Sequence, residues 1–145
     1  MPEENKNEPI VQSVWVDCPI DDAFRVFTEG FAEWWPTPAD CRMESWPGGR
    51  LFERTADGGE EEWGAIMRWD PPEHLEFTWY PGKREDRGET VEVNFQVEAD
   101  GTRVTLIHRG WGRGAELVCR IRAAKWQTVW QHRFVEFCHG WLQPV

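Results

Sequence analysis

One histidine of this 145-residue chain is placed where it could do chemistry. His108 ends a stretch in which Val104, Leu106 and His108 fall on the same side of a strand, and the other two are apolar. An imidazole on a buried sheet face can bond the polar group of a ligand, or act as an acid or base in a dry pocket. The alternative interpretation is a core histidine that bonds a backbone group or a carboxylate.

Indole rings supply most of the candidate binding surface, because the chain has eleven tryptophans. Each ring can bury about 150–250 Å², and its N–H needs a partner when buried. Rings that enclose a hollow would select a flat aromatic or polycyclic ligand by stacking, whereas rings that interlock would only fill a core. The candidate ligand-binding residues are Trp35, Trp63, Trp79, Phe95, His108, Trp111, Trp126, Trp130 and Phe134.

Known catalytic and metal-binding motifs are missing from the sequence. It contains no Gly-x-Ser-x-Gly, no His-Glu-x-x-His and no phosphate-binding glycine loop. The four cysteines show no Cys-x-x-Cys spacing, and the adjacent Cys138 and His139 would point in different directions from a helix. We therefore expect no metal, no cofactor and no catalytic residue. If the chain is an enzyme, His108 is the candidate acid or base.

The charge of the chain argues against two classes of partner. Its formal net charge is −10, so its surface repels nucleic acid and anionic membrane headgroups. No stretch approaches 18 apolar residues, and residues 1–9 lack the apolar run of a signal peptide. We expect a cytoplasmic protein, whose cysteines are ordinary buried thiols in a reducing compartment.

Length and periodicity predict one domain over residues 10–145, preceded by a disordered leader at residues 1–9. A β-branched run from Ile10 to Cys18 predicts the first strand, and two short helices follow it. Strand patterns bounded by turn residues then cover 50–55, 63–69, 74–80, 90–98 and 102–109. In the second of these, Trp63, Ala65, Met67 and Trp69 share one side, which predicts an antiparallel sheet with one buried face.

The apolar period changes to that of a helix near the carboxyl end. Cys119, Ala123, Trp126, Trp130, Phe134, Phe137 and Trp141 are separated by three or four residues, which predicts an apolar stripe along one long helix. The buried face of the sheet is its natural partner, and the fold class is α+β. One helix about 10–12 Å across cannot cover a wide curled sheet, so space can remain between them.

Several ordered motifs of the chain resemble those of the SRPBCC (START-like) superfamily. They are Gly48-Gly49-Arg50-Leu51-Phe52-Glu53, Glu62-Trp63-Gly64, Asp70-Pro71-Pro72, Leu75-Glu76-Phe77-Thr78-Trp79 and the segment from Gly101 to Trp111. Within the superfamily, the chain is most similar to the branch named after the heat-shock protein 90 ATPase activator. The resemblance implies a helix-grip fold, in which a curved sheet of about six to seven strands surrounds a long C-terminal helix, with a hydrophobic cavity between them.

Three functions stay open at this stage. The first is a protein that holds a small hydrophobic or aromatic molecule in a Trp-lined cavity without turning it over. The second is an enzyme of the cyclase or hydrolase kind, which the superfamily resemblance implies, with His108 as its acid or base. The third is a protein that contacts a chaperone or a regulator, and a homodimer is a further open alternative.

Overall fold

The computed structural model describes residues 9–34, 40–79, 89–110 and 133–141. Its strands are β1 (Ile10–Val16), β2 (Asp40–Met43), β3 (Arg50–Arg54), β4 (Glu60–Asp70), β5 (His74–Thr78), β6 (Thr90–Glu98) and β7 (Gly101–Arg109). Its helices are α1 (Ile20–Thr28), α2 (Phe31–Trp34) and α3 (Val135–Trp141). None of the described helices is long and apolar enough to cross a membrane.

The seven described strands form one curled antiparallel sheet in the order β1-β7-β6-β5-β4-β3-β2. Strands β2 to β7 follow one another as a meander, and β1 forms the other edge of the sheet by pairing with β7, the last of the described strands. The predicted α+β class with a curved antiparallel sheet is thereby confirmed. Strand β2, which pairs Cys41 with Glu53, was not separately predicted from the sequence.

The predicted alternation along β4 is wrong in the middle of that strand. Ile66 is buried and pairs with Phe77, whereas Met67 is 50% exposed. The register with β3 shifts at Trp63, which brings Ile66 to the inner face, and the register with β5 shifts between Ile66 and Arg68, so Met67 is the extra residue of a second bulge. Because a bulge reverses the side on which each following residue falls, Trp69 returns to the inner face although Met67 points outward.

Helix α1 lies against the inner face of the sheet and carries much of the core. Pro19 precedes it in an extended conformation. Asp21 and Asp22 occupy its first turn, where the positive end of the helix dipole stabilises their negative charge. Its apolar residues recur at helical spacing, so one side of the helix is buried. The buried residues on that side include Ala23, Phe24, Val26 and Phe27.

An aromatic cluster fills the part of the interior beneath α1 and α2. Phe27 is fully buried, and its ring centroid lies 5.2 Å from that of Trp34 and 6.0 Å from that of Phe134. The Trp34 indole donates to the Val26 carbonyl oxygen at 3.0 Å, which satisfies its buried N–H. The aromatic cluster comprises Phe24, Phe27, Phe31, Trp34, Phe77, Phe95 and Phe134.

Some predictions fall on parts of the chain outside the described residues. Of the residues predicted to form a long C-terminal helix, the structure shows α3 over Val135–Trp141, and of the predicted leader it describes only Pro9. Of the candidate ligand-binding residues, Trp35, Trp111, Trp126 and Trp130 also lie outside the described ranges.

Candidate functional site

His108 lies near the end of β7 on the inner face of the sheet, as the alternation predicts. Its side chain is fully buried, and its Cα partners across the two neighbouring strands are Ile10 and Val91. Its Nε2 atom lies 2.8 Å from Oε1 of Glu89, within hydrogen-bond distance. The partner expected for a buried histidine, a carboxylate, is therefore present.

Glu89 reaches the interior because of its position in the strand pattern. It stands one residue before β6, in phase with the buried Val91 and Val93, and is only 8% exposed. Its carbonyl oxygen accepts the Trp79 backbone N–H at 2.9 Å, which extends the ladder between β5 and β6 by one step. The sequence reading missed Glu89, although continuing the alternation by one residue would have placed it inside.

Two indole rings stand beside this pair. The Trp79 ring meets the His108 ring nearly edge-on, with centroids 6.4 Å apart and an angle of 78° between the planes. The Trp63 ring packs against Trp79 in the same way, at 5.9 Å and 87°. Both tryptophans are buried. We call Trp63, Trp79, Glu89 and His108 the indole–imidazole group.

A glycine lets the two tryptophan-bearing strands approach each other. A Cβ built on Gly64 would lie 1.9 Å from the Thr78 carbonyl oxygen, so no other residue fits there without separating the strands. The Thr78 hydroxyl in turn accepts the Ala65 backbone N–H at 2.8 Å. This close contact fixes the spacing of Trp63 and Trp79, the neighbours of Gly64 and Thr78 in sequence.

Two further candidate residues lie in a different part of the interior. The Phe95 ring lies 5.1 Å from that of Phe24, and the Phe134 ring lies 5.3 Å from that of Trp34, so both belong to the aromatic cluster. The structure thus brings together Trp63, Trp79 and His108, and places Phe95 and Phe134 among the rings beneath α1 and α2.

Gln12 adds a polar side chain to the inner face that sequence reasoning missed. It alternates with the buried Ile10 and Val14 along β1, pairs with Leu106, and has a buried Oε1 atom. Since Ile10 is the Cα partner of His108, Gln12 is the next inward residue along β1. The period of two in β1 was the signal that could have found it.

The electrostatics of the indole–imidazole group differ from those of the aromatic cluster. Burying an ionisable side chain is costly unless it is hydrogen-bonded, so the Glu89–His108 contact offsets part of the cost of placing both inside. Imidazole and carboxylate atoms can donate to or accept from a ligand, and the indole edges and faces can pack against a flat ring. Such a surface suits an aromatic molecule that carries a polar group.

A surface depression of about 760 Å³ lies at the opposite edge of the sheet, on β2, β3 and the turn before β4. Polar and charged side chains line most of it, including Asp40, Glu53, Arg54 and Glu60. In the described ranges, no group of three or more His, Cys, Asp or Glu side chains is arranged to hold a metal ion. This depression is separate from the indole–imidazole group.

The model of the family described as "Activator of Hsp90 ATPase homolog 1-like protein" matches residues 17–137 of the chain. The chain belongs to this family. The match runs from the end of β1 into α3 and includes every member of the indole–imidazole group. It confirms the family predicted from the sequence motifs. No curated protein sequence matches the chain significantly.

Several solved structures have the same fold as this chain. Protein NE0264 from Nitrosomonas europaea is 19% identical, with a TM-score of 0.70 over 92% of this chain and 95% of that one. The Aha1 dimer from Colwellia psychrerythraea is 14% identical, with a TM-score of 0.67 over 85% and 90%. DynU16, from the dynemicin biosynthetic locus, is 18% identical, with a TM-score of 0.67 over 92% of this chain and 48% of DynU16. At these identities the likeness establishes the fold, and with it the helix-grip type of architecture.

Proposed function

We propose that this activator-like domain binds a small aromatic molecule between the inner face of its sheet and its C-terminal helix, and does not convert it. The observation that carries the proposal is the Glu89–His108 hydrogen bond, buried on the inner face and edge-on to Trp79. It provides hydrogen-bonding atoms beside apolar ring surface, the combination that orients a ligand in a mostly apolar pocket.

The distribution of polar groups over the inner face supports this assignment. Beneath α1 and α2 the core is made of rings packed on rings, with Phe27 contacting several others. At the other ends of β6 and β7, Glu89 and His108 occupy inward positions where apolar residues would avoid the desolvation cost. A cost of this kind is commonly retained where the groups serve binding or catalysis.

The residues that would complete the pocket come from the sequence analysis. Trp126 and Trp130 share the apolar stripe with Phe134, so a helix that continues the stripe would direct them at the sheet. Trp35 and Trp111 would add ring surface at the margins. In this proposal the long C-terminal helix covers the indole–imidazole group, and the cavity between helix and sheet holds the ligand.

The expected ligand is uncharged, flat and able to form a hydrogen bond. Stacking and edge contacts with indoles favour a planar ring system, and the Glu89–His108 pair favours a hydroxyl or similar group on it. The net charge of −10 disfavours an anionic ligand. DynU16, whose gene lies in a biosynthetic locus, gives this domain a structural relative associated with small-molecule metabolism.

A matched pair of ligands tests the role of the polar group. Isothermal titration calorimetry, with protein injected into dilute ligand, would compare 2-naphthol with 2-methylnaphthalene, which replaces the hydroxyl by a methyl group of similar size. A net hydrogen bond contributes about 1 kcal/mol, so we expect about a fivefold preference for 2-naphthol. The His108→Leu variant should lose that preference while retaining some affinity for both compounds.

His74 supplies the matched control. It is also a strand histidine with a polar partner, since its Nδ1 lies 2.6 Å from Oδ1 of Asn94, but it alternates with the buried Leu75 and Phe77 and so lies on the outer face. The His74→Leu variant should retain the fivefold preference. An equal loss in both variants, or no binding of a panel of planar aromatic compounds, would contradict the proposal.

A second candidate function is catalysis with His108 as acid or base. The 2.8 Å contact with Glu89 favours it, because a carboxylate that orients an imidazole is the arrangement used in many general-base sites. Turnover of a bound ligand by the wild-type protein that disappears in His108→Gln, with binding retained, would establish this function in place of simple binding.

The cytoplasmic location, the lack of nucleic-acid and membrane partners, and the possible homodimer remain predictions from the sequence. The Aha1 structure, described as a dimer, supports testing this domain for self-association. Light scattering coupled to size-exclusion chromatography would distinguish a 17.1 kDa monomer from a particle of twice that mass.

A further inference from the structure

The first strand leaves one side of its backbone at the edge of the sheet. Among the described residues, β1 pairs with β7 alone. Its seven residues, from Ile10 to Val16, pair with β7 in one continuous register, so the free edge is long and regular. In an antiparallel strand, alternate residues direct their N–H and C=O groups away from the neighbouring strand. The free edge of β1 therefore presents a row of backbone groups that no described strand bonds.

The sequence of β1 lacks the features that usually protect an edge strand. It reads Ile-Val-Gln-Ser-Val-Trp-Val, without a charged side chain or a proline, and its register with β7 shows no bulge. Every other described strand contains at least one acidic or basic residue. Charges, prolines, bulges and short length are the features that commonly keep an edge strand from pairing with another chain.

The opposite edge of the sheet has that protection. Strand β2 is only four residues long, and two of the four are charged. The side chains of Asp40 and Arg42 are each about half exposed, and Nε of Arg42 lies 3.2 Å from Oδ1 of Asp40. A short charged edge resists pairing with a second chain. Of the two edges, β1 is therefore the one suited to accept a further strand.

The outward side chains of β1 complement a second copy of the same strand. They are Val11, Ser13 and Trp15, of which Val11 is 58% exposed. The Trp15 indole donates to the Glu98 carbonyl oxygen at 2.9 Å, which holds the ring in place. If two β1 strands pair in antiparallel orientation with Ser13 opposite Ser13, then Val11 of each copy lies opposite Trp15 of the other. Aromatic and β-branched side chains at directly opposite positions form a favourable cross-strand pair.

We infer that the free edge of β1 is a self-association surface, at which a second copy of this chain adds its own β1 in antiparallel orientation about a twofold axis through Ser13. All seven residues of each strand then find a partner, and outward residues meet outward residues. The sheets of the two copies join into one, and the backbone groups at both free edges are satisfied by each other.

The net charge of the chain sets the conditions under which two copies meet. Each copy carries −10, so two copies repel each other. Arg103, the Cα partner of Trp15 on β7, is paired with Glu98 at 2.7 Å, so these two side chains add no net charge beside the edge. Salt shortens the range of charge repulsion from about 10 Å at 0.1 M to about 3 Å at 1 M. Higher salt should therefore strengthen the dimer.

Charge substitution at the twofold axis tests the inference. Ser13 is exposed, and its hydroxyl lies 3.4 Å from Nη1 of Arg103, so a longer side chain fits there without entering the core. In a dimer, Ser13→Glu places two carboxylates opposite each other, and Ser13→Lys places two ammonium groups there. Like charges at directly opposite positions disfavour pairing. An equimolar mixture of the two variants places opposite charges at the axis instead.

Sedimentation equilibrium over a series of protein concentrations measures the outcome. We expect the wild-type mass to approach twice 17.1 kDa, each Ser13 variant to remain at 17.1 kDa, and the mixture to recover the dimer. Val97→Glu and Val97→Lys introduce the same charges at a position of β6 that is 64% exposed, and both should still form the dimer. Circular dichroism checks that each variant is folded.

Hydrogen–deuterium exchange of the wild-type chain provides a second measurement that needs no variant. The backbone amides of β1 should become more protected as the protein concentration rises, because the added strand bonds them. A wild-type mass of 17.1 kDa at every concentration, even in about 1 M salt, would overturn the inference. So would a dimer that persists in both Ser13 variants, a mixture that stays monomeric, loss of the dimer in the Val97 variants, or exchange in β1 that does not depend on concentration.

Discussion

Removing one member of the Glu89–His108 pair should cost the protein a measurable part of its stability. His108 is fully buried and the Glu89 side chain is only 10% exposed, so solvent cannot replace the lost contact. A buried polar group that loses its hydrogen-bond partner costs about 1–3 kcal/mol. We therefore expect His108→Leu and Glu89→Leu each to lower the free energy of unfolding by about that amount.

The variant with leucine at both position 89 and position 108 separates the loss of the hydrogen bond from the loss of side-chain packing. When both polar groups are replaced by leucine, no buried donor or acceptor of the pair remains, so the double variant should be destabilised by less than the sum of the two single changes. The coupling energy from the double-mutant cycle should be about 1 kcal/mol or more. Urea unfolding at pH 7, followed by tryptophan fluorescence, supplies the four free energies.

An exposed pair gives the baseline for that cycle. Arg68 and Asp70 are 60% and 54% exposed, and their atoms approach within 2.9 Å. Because exposed ion pairs are screened by water, the same cycle with alanine at these two positions should give a coupling near zero. Additive effects at Glu89 and His108, with a coupling no larger than at Arg68 and Asp70, would refute the assignment of a structural hydrogen bond to the buried pair.

Further predictions concern the core and its thiols. Phe27→Ala should lower the free energy of unfolding by about 3–5 kcal/mol, because the ring is fully buried, whereas Val97→Ala, at a 64% exposed position, should change it by less than about 0.5 kcal/mol in the same urea assay. Gly64→Ala should cost about 1–3 kcal/mol by forcing β4 and β5 apart, and an unchanged urea midpoint would contradict the close approach. Burial raises the pKa of the Cys41 thiol to about 12, so the unfolded chain releases this proton first. Stability should then fall between about pH 9 and pH 12, by at most about 1.4 kcal/mol per pH unit from this group, and less steeply in Cys41→Ala.

The faces of the sheet could be predicted from the sequence where apolar and polar residues alternate regularly. The prediction failed where a bulge interrupts that alternation. Val104, Leu106 and His108 keep one parity through β7, so the inward direction of His108 followed from sequence alone. In β4 two bulges, at Trp63 and Met67, each reverse the parity, and a period of two cannot reveal bulges that depend on pairing with β3 and β5. Strand β2 has four residues, too few for a periodic signal.

The sequence predicted three of the four residues of the indole–imidazole group but not the contacts between them. The clustering of Trp63 and Trp79 beside His108 depends on strand order and on the contact at Gly64, which arise from pairing between segments. Glu89 comes after a run of charged residues, so its type and its neighbours predict an exposed side chain, and its inward direction depends on the phase of β6. The high tryptophan content predicts a core rich in aromatic rings, whereas the register of the paired strands decides which of those rings contact the His108 imidazole.

The position of a bound ligand tests the central proposal most directly. In a ¹⁵N-labelled protein, each tryptophan gives one indole N–H signal, and Trp→Phe variants assign the signals one by one. Titration with 2-naphthol should shift the signals of Trp63 and Trp79. The indole of Trp34, which donates to Val26 inside the aromatic cluster, and that of Trp15, which donates to the Glu98 carbonyl oxygen, should stay in place. Saturable shifts at Trp15 or Trp34 with none at Trp63 and Trp79 would contradict the account.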